Sequence, residues 1–210
     1  MRRYVSVLGV MLGGLGAACT QAPSAPSPVE RAAVGVGTMA AAGDPGLAQD
    51  LAAVRAATAA FHDVDQAVAA GYLAPNPAQC VASPAGAMGV HSVNPALIQE
   101  LPVIAERPEV LLYEPRPEGG FRLVGVEYFQ VVLLRNRATG AVAPWFSQEP
   151  WDPALYTIVN PAPQLFGQTF QGPMAGHEPG MPWHYDLHAW IWAPNPSGTF
   201  AEWNPRVRCG

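Results

Sequence analysis

The segment FRLVGVEYFQVVLL, Phe121–Leu134, is apolar on both faces from Val126 onward. A run of this kind predicts a strand in the middle of a sheet, where both faces are covered. The segment EVLLY, Glu109–Tyr113, precedes it across a turn that contains Gly119 and Gly120, and the two predict an antiparallel hairpin. Glu127 lies inside the apolar run, where a carboxylate is costly to bury, so it is a candidate for a special role.

A long helix is predicted before the hairpin. Apolar residues recur at intervals of three and four from Leu47 to Tyr72, alanines fill the positions between them, and Gly71 lies near the end. Together with the hairpin and a later strand, this pattern predicts an α+β fold, with an antiparallel sheet packed against one long N-terminal helix. The chain has 23 prolines and 21 glycines, so much of it is expected to be ordered loop.

The segment GPMAGHEPGMPWHYDLHAWIW, Gly172–Trp192, contains three of the five histidines of the chain. Its last nine residues alternate as in a strand with two different faces. One face carries Tyr185, Leu187, Ala189 and Ile191, and the other carries His184, Asp186, His188, Trp190 and Trp192. Two imidazoles beside a carboxylate on one face indicate a functional site, because a purely structural strand has little use for them.

A first-row transition metal is the candidate ligand of this site. On a straight strand His184 and His188 lie about 13 Å apart, too far to bind one ion together. Either a bulge or bend after Asp186 shortens that distance, or one histidine pairs with Asp186 and another chain segment while the second histidine serves elsewhere. Ligands from adjacent strands give the better geometry. The preferred constellation is His91, His184 and His188, with Glu127 or His177 as a further or outer-shell ligand and Asp186 orienting an imidazole. Such a set suits zinc or copper, and nothing in the sequence selects between the two metals.

Two other interpretations of these residues stay open. The histidines and Glu127 can form a buried hydrogen-bond network that only rigidifies a loop-rich domain. The protein can also be a non-catalytic binding module in which exposed tryptophans, Trp145, Trp151 and Trp203, stack on carbohydrate rings or on an apolar partner. Convergence of the histidines would favour the metal, whereas coplanar exposed tryptophans would favour the carbohydrate.

The sequence indicates no defined enzyme class. It contains no GxSxG elbow, P-loop or Rossmann fingerprint, and no nucleophilic cysteine or serine constellation. Catalysis at a metal would need an open coordination position and a base, a role for which Glu127 or Asp186 is available. Whether the protein is an enzyme is therefore left undecided.

The N-terminus predicts export. Residues 1–18, MRRYVSVLGVMLGGLGAA, combine a basic start with an apolar run too short to span a bilayer, as in a signal peptide. Gly16-Ala17-Ala18-Cys19 is similar to a bacterial lipobox, which predicts acylation of Cys19 and a lipid anchor in a bacterial membrane; ordinary cleavage near Ala18 or Ala22 is the alternative. Residues 19–44 are rich in Pro, Ala, Gly and Ser and predict a flexible tether. Residues 45–210 are then expected to form a single α+β domain.

The charge and the other cysteines bear on the partners and the compartment. Without Arg2 and Arg3 the chain has nine basic and sixteen acidic residues, and it has no lysine, so nucleic acid is a poor partner for it. Cys80 and Cys209 are the only cysteines after Cys19 and predict a disulfide, the usual state of a lone pair in an exported protein. Metal binding by this pair is a weaker alternative, because neither cysteine lies in a CxxC or CxxH motif.

Several motifs together resemble a family of exported bacterial proteins and lipoproteins that have no assigned activity. They are AMGVHSVNPAL, RPEVLLYEP, LVGVEYF, GPMAGHEPGMPWHYDLHAWIW, NPSGTF and WNPRV. The resemblance covers most of residues 55–209 and implies one recurrent domain. It implies no activity, cofactor or catalytic residue, so the function has to be argued from the chemistry of the side chains.

Overall fold

β-Structure dominates the protein. The computed structural model describes residues 45–177 and 180–210. The strands along these residues are β1 (Cys80–Ser83), β2 (Gly86–Val93), β3 (Val110–Pro115), β4 (Phe121–Val131), β5 (Leu133–Asn136), β6 (Val142–Pro144), β7 (Tyr156–Ile158), β8 (Gln164–Leu165), β9 (Gln168–Thr169), β10 (Gln171–Met174) and β11 (His184–Ala189). The predicted signal peptide, the tether and Cys19 lie outside the described residues, so these assignments stay predictions.

Six strands form one antiparallel sheet in the order β1-β2-β3-β4-β11-β10. β4 pairs with β3 on one side and with β11 on the other, which confirms the predicted hairpin and the central position of β4. Register shifts interrupt the β1–β2, β3–β4 and β10–β11 pairs. Because such bulges bend and twist strands, the sheet curls. β6, β5 and β7 form a second sheet, and β8 and β9 form a third.

The predicted α+β fold class is wrong, because the predicted helix over 47–72 is not continuous. Helix α1 spans Pro45–Thr58, a 3₁₀ turn continues it over Ala59–His62, and α2 (Val64–Ala69) is a separate short helix. Asp63 separates them: its backbone is extended, with φ −90° and ψ 111°, and its side chain accepts a hydrogen bond from the Asp65 N–H. An aspartate in this conformation caps a new helix instead of continuing the old one. The architecture is therefore mostly β, with one helical stretch of 18 residues at its start.

Side chains along the central strands point alternately to the two faces of the large sheet, and both faces are buried. On one face Leu111, Tyr113, Val126, Tyr128, Tyr185 and Leu187 build the larger core, to which α1 adds Leu51 and Val54. On the other face Val110, Leu112, Phe129 and Trp190 build a smaller core that includes Val207 from the C-terminal tail. Asp186 and His188 alternate with Tyr185 and Leu187 along β11, so they lie on the face of the smaller core.

A disulfide joins Cys80 of β1 to Cys209 of the tail, which confirms the predicted pairing. Other contacts also hold the tail: Asn204 bridges to Ala87 of β2, and the Arg208 N–H donates a hydrogen bond to Glu114. These contacts keep the tail against the smaller core. No helix among the described residues combines the length and apolarity needed to cross a bilayer.

Candidate metal centre

Three side chains from three strands converge on the face of the smaller core. They are His91 of β2, Glu127 of β4 and His188 of β11, and each offers one ligand atom within 4.8 Å of the other two. The Nε2 atom of His91 lies 3.2 Å from Glu127 Oε2, and the Nε2 atom of His188 lies 3.9 Å from the same oxygen. Two imidazole nitrogens and a carboxylate oxygen at this spacing can hold a metal ion.

The sheet register explains how the three residues meet. His188 lies directly opposite Glu127 in the β4–β11 pair. His91 comes from farther away, because β3 separates β2 from β4 and the two backbones are roughly 10 Å apart. The side chains between them, Leu112 opposite His91 and Val110 opposite Glu127, are both buried in the smaller core. The imidazole and the carboxylate are long enough to close this gap above the two shorter apolar side chains.

The site is buried except at one ligand. The side chains of Glu127 and His188 are 4% and 1% exposed, whereas that of His91 is 24% exposed. Of the three ligands, only His91 is substantially exposed to solvent. A metal ion bound here would be shielded by protein on the sides of Glu127 and His188.

Five polar atoms on this face have no hydrogen-bond partner. They are Glu127 Oε2, His184 Nε2, Asp186 Oδ1, and both ring nitrogens of His188. The His91–Glu127 contact has an ion-pair distance but not the geometry of a hydrogen bond, so it leaves Glu127 Oε2 without a donor. Each unsatisfied buried group costs about 1–3 kcal/mol. No other buried side-chain nitrogen or oxygen within residues 45–177 and 180–210 lacks a partner, so the unmet donors and acceptors are concentrated at one place.

Burial and charge set the protonation of the ligands. Burial lowers the pKa of His188 to about 4, so this imidazole is neutral at neutral pH and has a free lone pair. Burial acts to raise the pKa of Glu127, but the neighbouring imidazoles, above all His91, outweigh it and hold that pKa well below its ordinary value. No arginine in the described part of the chain forms an ion pair with Glu127. An ionised carboxylate beside a neutral imidazole is the protonation state that a divalent cation requires.

His184 and Asp186 form a second polar group along β11. The Nδ1 atom of His184 is 3.0 Å from the Pro182 carbonyl, which can only accept, so this nitrogen carries the proton. The His184 ring stacks on Phe129, with centroids 4.4 Å apart. Its Nε2 atom lies 4.0 Å from Asp186 Oδ2, too far for Asp186 to orient the ring by a hydrogen bond. Burial, together with Glu127 and Glu202, raises the pKa of Asp186 to about 8.

The structure thus divides the five ligands that the sequence analysis proposed. His91, Glu127 and His188 converge, whereas His184 lies four residues before His188 in a β11 strand that pairs with β4 without any register shift. The bulge considered after Asp186 is absent from that pair. His177 is exposed, and its ring lies 5.2 Å from the His184 ring.

The tryptophans do not form a flat platform where the structure describes them. Trp145 and Trp151 pack against the larger core. The indole N–H of Trp145 donates to the Glu149 carbonyl, and the ring of Trp151 meets that of Trp183 at 72°. Trp203 is likewise partly buried. This arrangement is typical of aromatic side chains that cover the edge of a core.

Sequence reasoning missed two residues that shape this face. Phe129 supports the His184 ring, and the Pro182 carbonyl fixes the proton of that ring. Phe129 has a signal in the sequence, because it follows Glu127 by two positions and therefore shares its face of β4. The Pro182 carbonyl has none, because only the chain path before β11 brings it to the imidazole.

Glu109 is a buried carboxyl group near the site, and its raised pKa predicts how the stability of the protein depends on pH. Burial is the main cause that raises its pKa to about 7, although Oε2 accepts a hydrogen bond from the Phe129 N–H. Because this pKa lies above that of the unfolded chain, the folded state binds the extra proton, and stability is lost as pH rises from about 4.5 to 7. Glu109→Gln is therefore expected to gain stability relative to wild type across this window, by on the order of 2 kcal/mol.

Denaturant unfolding of the metal-free proteins at several pH values measures this effect. Glu118→Gln, in the exposed turn between β3 and β4, is the matched control and should follow wild type throughout. Parallel curves for wild type and Glu109→Gln would show that Glu109 keeps an ordinary pKa in the folded state.

The chemistry of the site is defined by its donor atoms, two imidazole nitrogens and one carboxylate oxygen, of which Glu127 and His188 are buried and His91 is partly exposed. These atoms can bind a cation, and the residues around them supply no competing partner for Glu127 Oε2 or His188 Nε2. Comparison of the chain with protein-family models, with curated proteins and with solved structures finds no match.

Proposed function

We propose that this protein is an exported bacterial cell-envelope protein that binds a transition-metal ion, zinc or copper, through His91, Glu127 and His188. The observation that carries the proposal is the convergence of three potential ligand atoms on a buried face where Glu127 Oε2 and both nitrogens of His188 have no partner. A bound cation would give the Glu127 oxygen and one nitrogen of His188 the partner that they lack. A purely structural network would satisfy these atoms within the protein.

The ligand types support zinc or copper. Imidazole nitrogen suits both metals, and a carboxylate adds the negative charge that stabilises a divalent ion in a dry site. Three protein ligands would leave one tetrahedral position of the ion free for a water molecule or a small ligand. His91 is the ligand nearest to solvent, with a side chain that is 24% exposed.

Elemental analysis of the full chain, purified without a histidine tag, tests the metal site. After dialysis against zinc or copper and then against buffer, the wild type should retain metal, and His188→Ala should contain one equivalent less. His62→Ala is the matched control, because His62 is exposed and contacts Trp192 instead of the site. A wild type that takes up neither metal would contradict the proposal and would leave a structural network of histidines.

Three features support the envelope location. Residues 1–18 have the pattern of a signal peptide, and Cys19 follows a sequence similar to a lipobox. The Cys80–Cys209 disulfide fits an oxidising compartment.

Cys19→Ala tests the lipid anchor. Removing the acylated residue should move the protein from the membrane fraction to the soluble fraction of the cell envelope, because a protein without its lipid chains loses its membrane affinity. Immunoblotting of fractionated cells measures the shift. If wild type and variant distribute alike, acylation at Cys19 does not anchor the protein.

A further inference from the structure

We propose that the same face of the sheet holds a second transition-metal site, formed by His184, Asp186 and His177 and separate from the site of His91, Glu127 and His188. This inference goes beyond the proposed function, because it assigns a second ion to residues that the first site does not use. It rests on the geometry of three side chains next to one another at the start of β11 and in the loop before it.

His184 is prepared as a ligand. Its Nδ1–H donates to the Pro182 carbonyl at 3.0 Å, so Nε2 holds the lone pair of the neutral ring. Stacking on Phe129 fixes the plane of the ring, with only 17° between the two. The side chain is 0% exposed, and Nε2 has no hydrogen-bond partner. A carbonyl that holds the second nitrogen is the arrangement commonly found behind metal-binding histidines.

Asp186 supplies the second ligand, and the incoming cation would displace the proton that this buried group keeps at neutral pH. Its Oδ2 atom lies 4.0 Å from His184 Nε2, and its Oδ1 atom has no partner although the residue is 4% exposed. No arginine in the described ranges pairs with it. Small side-chain rotations would bring both donor atoms to the roughly 3–3.5 Å separation of ligands on one zinc ion.

His177 supplies the third ligand from the loop. Its ring centroid lies 5.2 Å from that of His184, and the planes meet at 77°. Two imidazoles that bind one tetrahedral ion through nitrogens at about 2.0–2.1 Å have centroids roughly 5 Å apart, so the observed spacing fits a shared ion. The His177 N–H is held by Met181 Sδ at 3.4 Å, while the ring itself is exposed and free to turn toward the ion.

The two sites should differ in affinity. The ligand atoms of His91, Glu127 and His188 already lie within 4.8 Å of one another, whereas the second group has two buried ligands and one exposed ligand that must be ordered. Ordering a side chain costs conformational entropy, and an ion already bound nearby repels another. The second ion is therefore expected to bind more weakly than the first.

Calorimetric titration of the metal-free full chain with zinc tests the second site. Wild type should bind two equivalents of different affinity. His177→Ala and His184→Ala should each weaken only the weaker event, by about tenfold or more, while His188→Ala should remove the tighter event. His62→Ala, which replaces another exposed histidine, is the control and should bind as wild type does.

The outcomes separate the two proposals. One equivalent in wild type, unchanged by His177→Ala, would overturn the second site and leave the first in place. A weak event that His62→Ala reduces as much as His177→Ala does would also overturn it, as adventitious binding to surface histidines. No binding by wild type would overturn both sites. His177→Ala keeps the test valid even if loss of the buried His184 ring disturbs folding, because the His177 side chain is exposed.

Discussion

Glu127→Gln is expected to abolish tight zinc binding and, at neutral pH, to lower the stability of the metal-free protein. Glu127 is the one carboxylate of the three-ligand group, and both imidazoles approach its Oε2 atom. Loss of an outer-shell partner already costs about 10–100-fold in metal affinity, so loss of a ligand should cost at least about 100-fold. The amide keeps the shape of the side chain, removes its charge and replaces one acceptor oxygen with an NH₂ donor.

The stability of the metal-free variant should depend on pH. The neighbouring imidazoles hold the pKa of Glu127 below its ordinary value, so the folded state favours the ionised carboxylate over a neutral group. The amide recovers part of this loss, because its NH₂ group can donate to the free lone pair of a neighbouring imidazole. The free energy of unfolding of the metal-free variant at neutral pH should therefore lie below that of wild type, and the difference should shrink as the pH falls toward the folded-state pKa of Glu127.

Zinc calorimetry and denaturant unfolding in the presence of a chelator measure the two effects on the same preparation. Glu118→Gln, exposed in the β3–β4 turn, should change neither. A variant that loses several kcal/mol of stability but binds zinc normally would identify Glu127 as a structural ion-pair partner of His91.

Removal of the Cys80–Cys209 disulfide is expected to have the largest effect on stability. The two cysteines are 129 residues apart in the sequence, so the bond closes most of the described chain into one loop. The entropy of such a loop in the unfolded state corresponds to about 4–5 kcal/mol. Without the bond the tail, which brings Val207 onto the smaller core, is held only by contacts such as the Ala87–Asn204 bridge.

The double variant Cys80→Ala/Cys209→Ala should therefore unfold at a clearly lower denaturant concentration than wild type. Cys19→Ala is the matched control, because it removes a cysteine and leaves the disulfide intact. Equal midpoints for the double variant and the control would mean that the tail is stably docked without the bond.

The sequence predicted the centre of the sheet better than its surroundings. Three predictions depend on sequence patterns that fit few other structures. They are the central strand β4, the strand β11 and the disulfide, and the structure contains all three. The prediction of one continuous helix was wrong because the spacing of apolar residues does not reveal the break at Asp63, whose side chain caps the start of α2. Strands of two to four residues, such as β8 and β9, are too short to show a pattern at all.

The candidate site was predictable in its residue types but not in its grouping. The rise per residue of a strand indicates that His184 and His188 cannot share an ion on a regular strand, and β11 pairs with β4 without a register shift. The partner of each histidine depends on strand order, which local sequence does not specify. His91 meets Glu127 across β3 only because three strands pair in the order β2-β3-β4 and the sheet curls.

The two outer strands of the large sheet affect how copies of the protein behave when they are crowded. β1 and β10 are only four residues long, and β10 contains Pro173, which has no N–H to offer. β10 also leaves the register of its neighbour between Gln171 and Met174. A short, irregular strand with a missing donor is a poor template for an incoming chain. The sheet therefore resists edge-to-edge growth into aggregates, even where many molecules are concentrated on one surface.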